Sequence, residues 1–195
     1  MPVQIGASPA NFHEDPIRVM GQCHRRIERY LYVIITIKRQ AQGKTLTADQ
    51  KAALGVALRY FREAAPWHML DEEESLFPRV RLACTLDSKT SGLLQGLELE
   101  HAVAHVCHLE LDELGTRWIE EGCLSEAESN RFAEKIGKLS MIYHRHIHHE
   151  EMDVFPLATR LLREPEIRAI GREMEARRQV PFAYEMMARH VAESR

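Results

Sequence analysis

Apolar residues recur along this chain in steps of three and four, the period of a helix face packed on a core. Ile17, Met20, His24, Ile27, Leu31 and Ile34 form the first such stripe. It follows Asp15-Pro16, an N-cap residue with proline at the first helical position, and Gly43 ends it. A second stripe, Leu54, Leu58, Phe61, Ala65, His68 and Glu72, opens at the capping box Thr47 to Gln50 and runs to Pro78. Asp87 to Gly92 is turn-like, and a third stripe then carries Leu94, Leu97, His101, His105 and His108 as far as Gly122. Another capping box, Ser125 to Glu128, opens a fourth with Phe132, Ile136, Leu139, Tyr143, His146 and Glu150. Pro165 predicts a short fifth helix, and no segment shows the period-two alternation of a strand. The pattern predicts an all-α fold: an up-down-up-down four-helix bundle over residues 1–163 and a short C-terminal helical extension over 164–195.

The stripes contain residues that a plain bundle core would exclude. Buried imidazoles and carboxylates cost several kcal/mol each unless they are partnered, so these positions must share a partner. Two segments repeat one another 78 positions apart, Pro66 to Pro78 and His144 to Pro156, and both fit H-x-x-x-E-E-x-x-Φ-F-P with Φ aliphatic. Residues four apart lie on one helical face, so His68 with Glu72 and His146 with Glu150 can ligate one metal cluster. His101 and His105 repeat that spacing on the third helix, and His24 adds a ligand from the first. Glu72 and Glu150 continue the inward stripes, whereas their neighbours Glu73 and Glu151 are rotated by about 100°. Seven such ligands overfill one ion. Two roughly octahedral ions need about twelve donors, and bridging carboxylates with one oxo or hydroxo bridge leave a single position open. Nitrogen and oxygen donors without thiolate suit iron, with zinc or manganese as alternatives.

Composition sharpens this picture by exclusion. The chain has 195 residues, a formal charge of −3 and eleven histidines. The charge gives no basic footprint for nucleic acid or for an anionic membrane. Cys23, Cys84, Cys107 and Cys123 lack the spacing of a zinc finger or a redox pair. Tyr30 to Ile37, the longest apolar-rich run, is far too short to span a bilayer, and no secretory signal is visible. A cytoplasmic protein with free thiols is expected. Glu98-x-x-His101 occurs without a second copy, against a ferritin-like carboxylate site, and no H-E-x-x-H is present. His13, His108, His144, His148, His149 and His190 are expected at the surface or behind the ligands, and Tyr143 beside the site.

The paired H-x-x-x-E-E-x-x-Φ-F-P motifs, His101-x-x-x-His105 and His24 together resemble the hemerythrin family, closest to the bacterial hemerythrin-like, or HHE cation-binding, domains. The resemblance covers about residues 14–160. It implies a four-helix bundle holding a non-haem di-iron centre that binds dioxygen or a related small molecule. Carried over residue by residue, the ligands are His24, His68, Glu72, His101, His105, His146 and Glu150. In hemerythrins proper the last carboxylate stands five residues after its histidine, which here is Glu151, so the phase of the stripe and the family pattern disagree at this position.

Two kinds of function are then expected. One is a binding protein that stores, delivers or senses dioxygen, or nitric oxide in its place. The other is an enzyme or repair factor acting on peroxide or nitric oxide, or donating iron. The cluster-repair relatives carry an extra cysteine-bearing N-terminal domain, and about 14 residues precede the first helix here, which disfavours that variant. Ile170, Met174, Val180, Phe182, Met186 and Met187 offer a surface for a homodimer or for packing back on the bundle.

Overall fold

The structure is a computed structural model that describes residues 15–85 and 87–179. All regular elements among these residues are helical: α1 (Pro16–Ala41), α2 (Ala48–Glu63), α3 (Ala65–Asp71), α4 (Phe77–Ala83), α5 (Ser88–Glu121), α6 (Glu126–His149), α7 (Phe155–Leu161) and α8 (Glu164–Gln179). The helix starts obey local chemistry. Asp15 caps α1 with Pro16 behind it, and complete capping boxes open α2 at Thr47 and α6 at Ser125.

Two of the expected long helices are interrupted. The second becomes α2, α3 and α4. It breaks at Ala64, ahead of Pro66, which has no N–H to continue the ladder. Between α3 and α4 lies a π-turn, Glu72–Leu76, and between α6 and α7 lies its counterpart, Glu150–Val154. In each the phenylalanine N–H reaches back five residues, Phe77 to Glu72 and Phe155 to Glu150. Pro78 and Pro156 come next in the chain and cannot donate to the carbonyls four back, so a widened turn forfeits little there. The extra residue rotates the end of each rod, and Leu76, Phe77, Val154 and Phe155 all face the interior.

Contacts close a ring in which α1 packs on α2 and α6, and α5 packs on the same two. Along each rod the interior changes character twice. A larger apolar core contains Ile27 to Ala41 of α1, Leu54 to Ala65, Ala104 to Trp118 of α5 and Phe132 to Ile147 of α6. A smaller one contains Val19, Met20, Leu76, Phe77, Val80, Leu94, Leu97, Val154, Phe155 and Ala158. Between them lies a polar layer of His24, His68, Glu72, His101, His146 and Glu150, all buried.

Helix α8 closes the smaller core. Ile170 and Met174 are wholly buried there, so two of the residues offered for a partner surface are used within the chain. Val180, Phe182, Met186 and Met187 lie outside the described residues, as do His13 and His190. Arg177 and Arg178 hold the fully buried Asp71, at 3.0 and 2.6 Å, so that its carboxylate is paired. No helix among the described residues is long and apolar enough to cross a membrane.

Candidate metal centre

Six of the seven expected ligands meet in the polar layer. Their donor atoms form two sets, each with members within 4.8 Å of one another: His24 and His68 with Glu72 and Glu150, and His101 and His146 with the same two carboxylates. Glu72 presents Oε1 to His68 Nε2 at 3.1 Å and Oε2 to His101 Nε2 at 3.4 Å. Glu150 presents Oε2 to His24 Nε2 at 2.9 Å and Oε1 to His146 Nε2 at 3.3 Å. Each carboxylate therefore reaches across both sets, one oxygen to each, which is the disposition of a bridging ligand. Cis donors about 2.1 Å from an ion lie about 3 Å apart, and these spacings match that.

Closeness here is not hydrogen bonding. Both oxygens of Glu72, both of Glu150, and Nε2 of His24 and of His146 are buried with no hydrogen-bond partner among the described residues. Each buried polar atom left in that state costs about 1–3 kcal/mol, and a cation among them satisfies all of them together. The electrostatics carry the same strain. Burial pushes the Glu72 carboxyl well above its ordinary range, and Glu150 adds to the shift. Burial acts the same way on Glu150 but is outweighed by the His146 and His24 rings, which hold that carboxyl well below. Burial depresses His68. For His146 it is outweighed by Glu150 and Glu100, which raise the ring to about 9.

Behind the donors stands a row of carboxylates to which the stripes assign no part. His24 Nδ1 pairs with Glu151 at 2.8 Å, His101 Nδ1 with Glu73 at 2.7 Å, and His146 Nδ1 with Glu100 at 3.1 Å. Such partners fix the ring's tautomer and orientation and raise its basicity as a ligand. Glu150 and Glu72 thus face the centre, while Glu151 and Glu73 brace histidines on neighbouring helices. The doubled glutamate in both repeats was the signal for this, since one acid of each pair faces the two donor sets and the next pairs with a ring on a neighbouring helix. The motif phenylalanines cover the same rings: Phe155 stacks on His24 with centroids 5.3 Å apart, and Phe77 on His101 at 6.3 Å.

His105 stands apart from both sets. It is one turn, about 6 Å, farther along α5 than His101, on the side of the larger core. There it lines a cavity of about 40 Å³ with His101, Phe61, Met69, His108 and Tyr143. His108 Nε2 lies 2.8 Å from the Tyr143 hydroxyl beneath the stacked ring of Phe61. His144 and His148 are exposed, and His149 pairs with Asp153 at 3.1 Å.

The family profile of the hemerythrin HHE cation binding domain matches residues 15–158, from the cap of α1 into α7. An uncharacterized protein of Haemophilus influenzae is 27% identical over 171 residues, covering 85% of this chain and 91% of that protein. The motifs, the fold and the profile converge: this chain belongs to the hemerythrin HHE cation-binding domain family.

Proposed function

We propose that the chain holds a pair of metal ions, iron above all, and uses them to bind dioxygen or a related diatomic for storage, delivery or sensing. One observation carries this reading: buried nitrogen and oxygen donors converge in two sets that share both carboxylates, and most have no other partner. The donors fit iron, manganese or zinc by chemistry, and sulfur is absent from both sets. In this reading His24 and His68 hold one ion, His101 and His146 the other, and Glu72 and Glu150 span the two. Such a pair, when bound, supplies open coordination positions at redox-active ions. Six protein ligands leave about two of twelve positions open, where seven would leave one. Glu151, Glu73 and Glu100 hold the rings in register, and Phe77 and Phe155 keep water from them. The four rods run up-down-up-down: α1 and α5 pass from the smaller core to the larger, and the other two rods pass back. The reducing cytoplasm is the compartment proposed, in keeping with four free thiols.

Metal analysis of anaerobically purified protein is expected to give about two ions per chain. Reduced, loaded protein mixed with oxygen should then develop a charge-transfer band that fades under vacuum. Irreversible autoxidation within seconds contradicts reversible binding, and sustained turnover of peroxide or nitric oxide above a free-iron control moves the assignment to an enzyme.

A further inference from the structure

A helix at the edge of a bundle ordinarily turns charged residues to water. Helix α1 does so, with Arg25, Glu28, Arg29 and Arg39 among its exposed positions. Helix α5 does not. Between residues 91 and 109 its exposed positions are Ser91, Gly92, Gln95, Leu99, Val103, Val106 and Leu109, none of them charged. Leu99 is 63% and Val106 51% exposed, and the four large residues follow one another in steps of four, three and three along one face. Met141 of α6 is 71% exposed and stands one turn before Arg145, which pairs with Glu100, so it extends this face sideways. A contiguous apolar face of this kind marks a surface that a partner covers.

We propose that the face binds a second copy of the chain, α5 against α5 antiparallel, about a two-fold axis that passes between Ala102 and Val103. A two-fold interface requires that one surface fit itself. Run against itself about that point, the helix sets Leu99 opposite Val106 and Gly96 opposite Leu109. Gly96 has open space where a Cβ would stand, which leaves room for the partner's Leu109. The charges that border the face are already paired within the chain, Glu98 with Arg81, Glu100 with Arg145 and Glu110 with Lys135, so covering it strands none of them.

The area also suits a dimer. Nineteen residues of helix are about 28 Å long. Taken with the edges of α6 and α2 beside it, about 25–30 Å across, the face offers roughly 700–850 Å², the share that one partner contributes to a stable interface. The residues beyond Gln179 start elsewhere. Helix α8 packs on α1 and α3, and α1 stands diagonally across the ring from α5.

Sedimentation equilibrium of the full chain at micromolar concentration is expected to give about twice the chain mass of 22.5 kDa. Val106→Glu brings like charges together near the axis and should weaken association at least about tenfold. Gly96→Leu fills the space meant for the partner and should do the same, while favouring the helix of the single chain. Neither position belongs to the buried core, so both variants should keep the helical dichroism of the native protein. Tyr32→Glu, which puts the same charge on an exposed ring of α1, should leave the doubled mass unchanged. A native chain that sediments as a monomer overturns the proposal. So does a dimer that survives both α5 variants, or one that Tyr32→Glu abolishes, since the second copy would then sit on another face.

Discussion

The apolar core that runs from Ile27 to Ile147 and the one that joins Val19 to Met174 lie on either side of the same ring of histidines. The larger is ordinary bundle interior, in which α1, α2, α5 and α6 meet by stripes of regular helical period. Trp118, Phe132, Leu111 and Ile34 are almost wholly buried in it. The smaller is assembled differently. Leu76, Phe77, Val154 and Phe155 reach it through the π-turns that begin at Glu72 and Glu150, and Ile170 and Met174 of α8 complete it. The candidate ligands Glu72 and Glu150 and the packing residues that follow them thus share single turns in this half. With metal in the layer, binding and folding are expected to be separable on one side of it and coupled on the other.

Metal removal should break that comparison most visibly. With free ion about 1,000-fold above its dissociation constant, chelation costs about 4 kcal/mol of stability for each ion removed. Hydrogen exchange in the apo-protein should rise most in the two π-turns, α4, α7 and α8. The stretches of α5 and α6 within the larger core should stay protected, and a uniform rise throughout contradicts the division. Leu111→Ala comes next. A cavity in the larger core should cost about 2–5 kcal/mol in urea unfolding with metal content unchanged.

Arg178→Ala reaches the smaller side through α8. It removes the closer of the two arginine contacts from the buried Asp71, the residue immediately before Glu72. A loss of about 2–3 kcal/mol is expected, together with faster release of metal to a chelator. Stability lost with an unchanged release rate would separate α8 from the site.

The smallest effect is on pH dependence. His146, raised to about 9, carries a proton in the metal-free layer near neutrality. Loading must expel that proton, so affinity should climb with pH until about 9, by at most about tenfold per unit. The apo-protein should behave oppositely. The contribution of His146 to its stability is fully present below the ring's ordinary value and is lost as pH rises through about 9. Calorimetry in buffers of different ionisation enthalpy counts the protons released.

Much of this was legible in the sequence because helical period is a simple code. The capping boxes at Thr47 and Ser125 and the stripes of the larger core come from spacing alone. So does the convergence of His24, His68, His101 and His146 with Glu72 and Glu150. What spacing could not give is any departure from a constant turn. The π-turns shift phase by one residue, and a stripe read at 3.6 residues per turn passes over them. His105 shares a face with His101 and stands one turn farther along α5, outside both donor sets. Glu73, Glu100 and Glu151 escaped because their task lies between helices, which a pattern along one helix does not encode.

Diffraction from metal-loaded crystals at the iron absorption edge tests the central claim most directly. Two anomalous peaks should appear within the polar layer, one beside the Nε2 atoms of His24 and His68 and one beside those of His101 and His146, with Glu72 and Glu150 in contact with both. A single peak, or peaks only at surface histidines such as His144 or His148 with the layer empty, would contradict it.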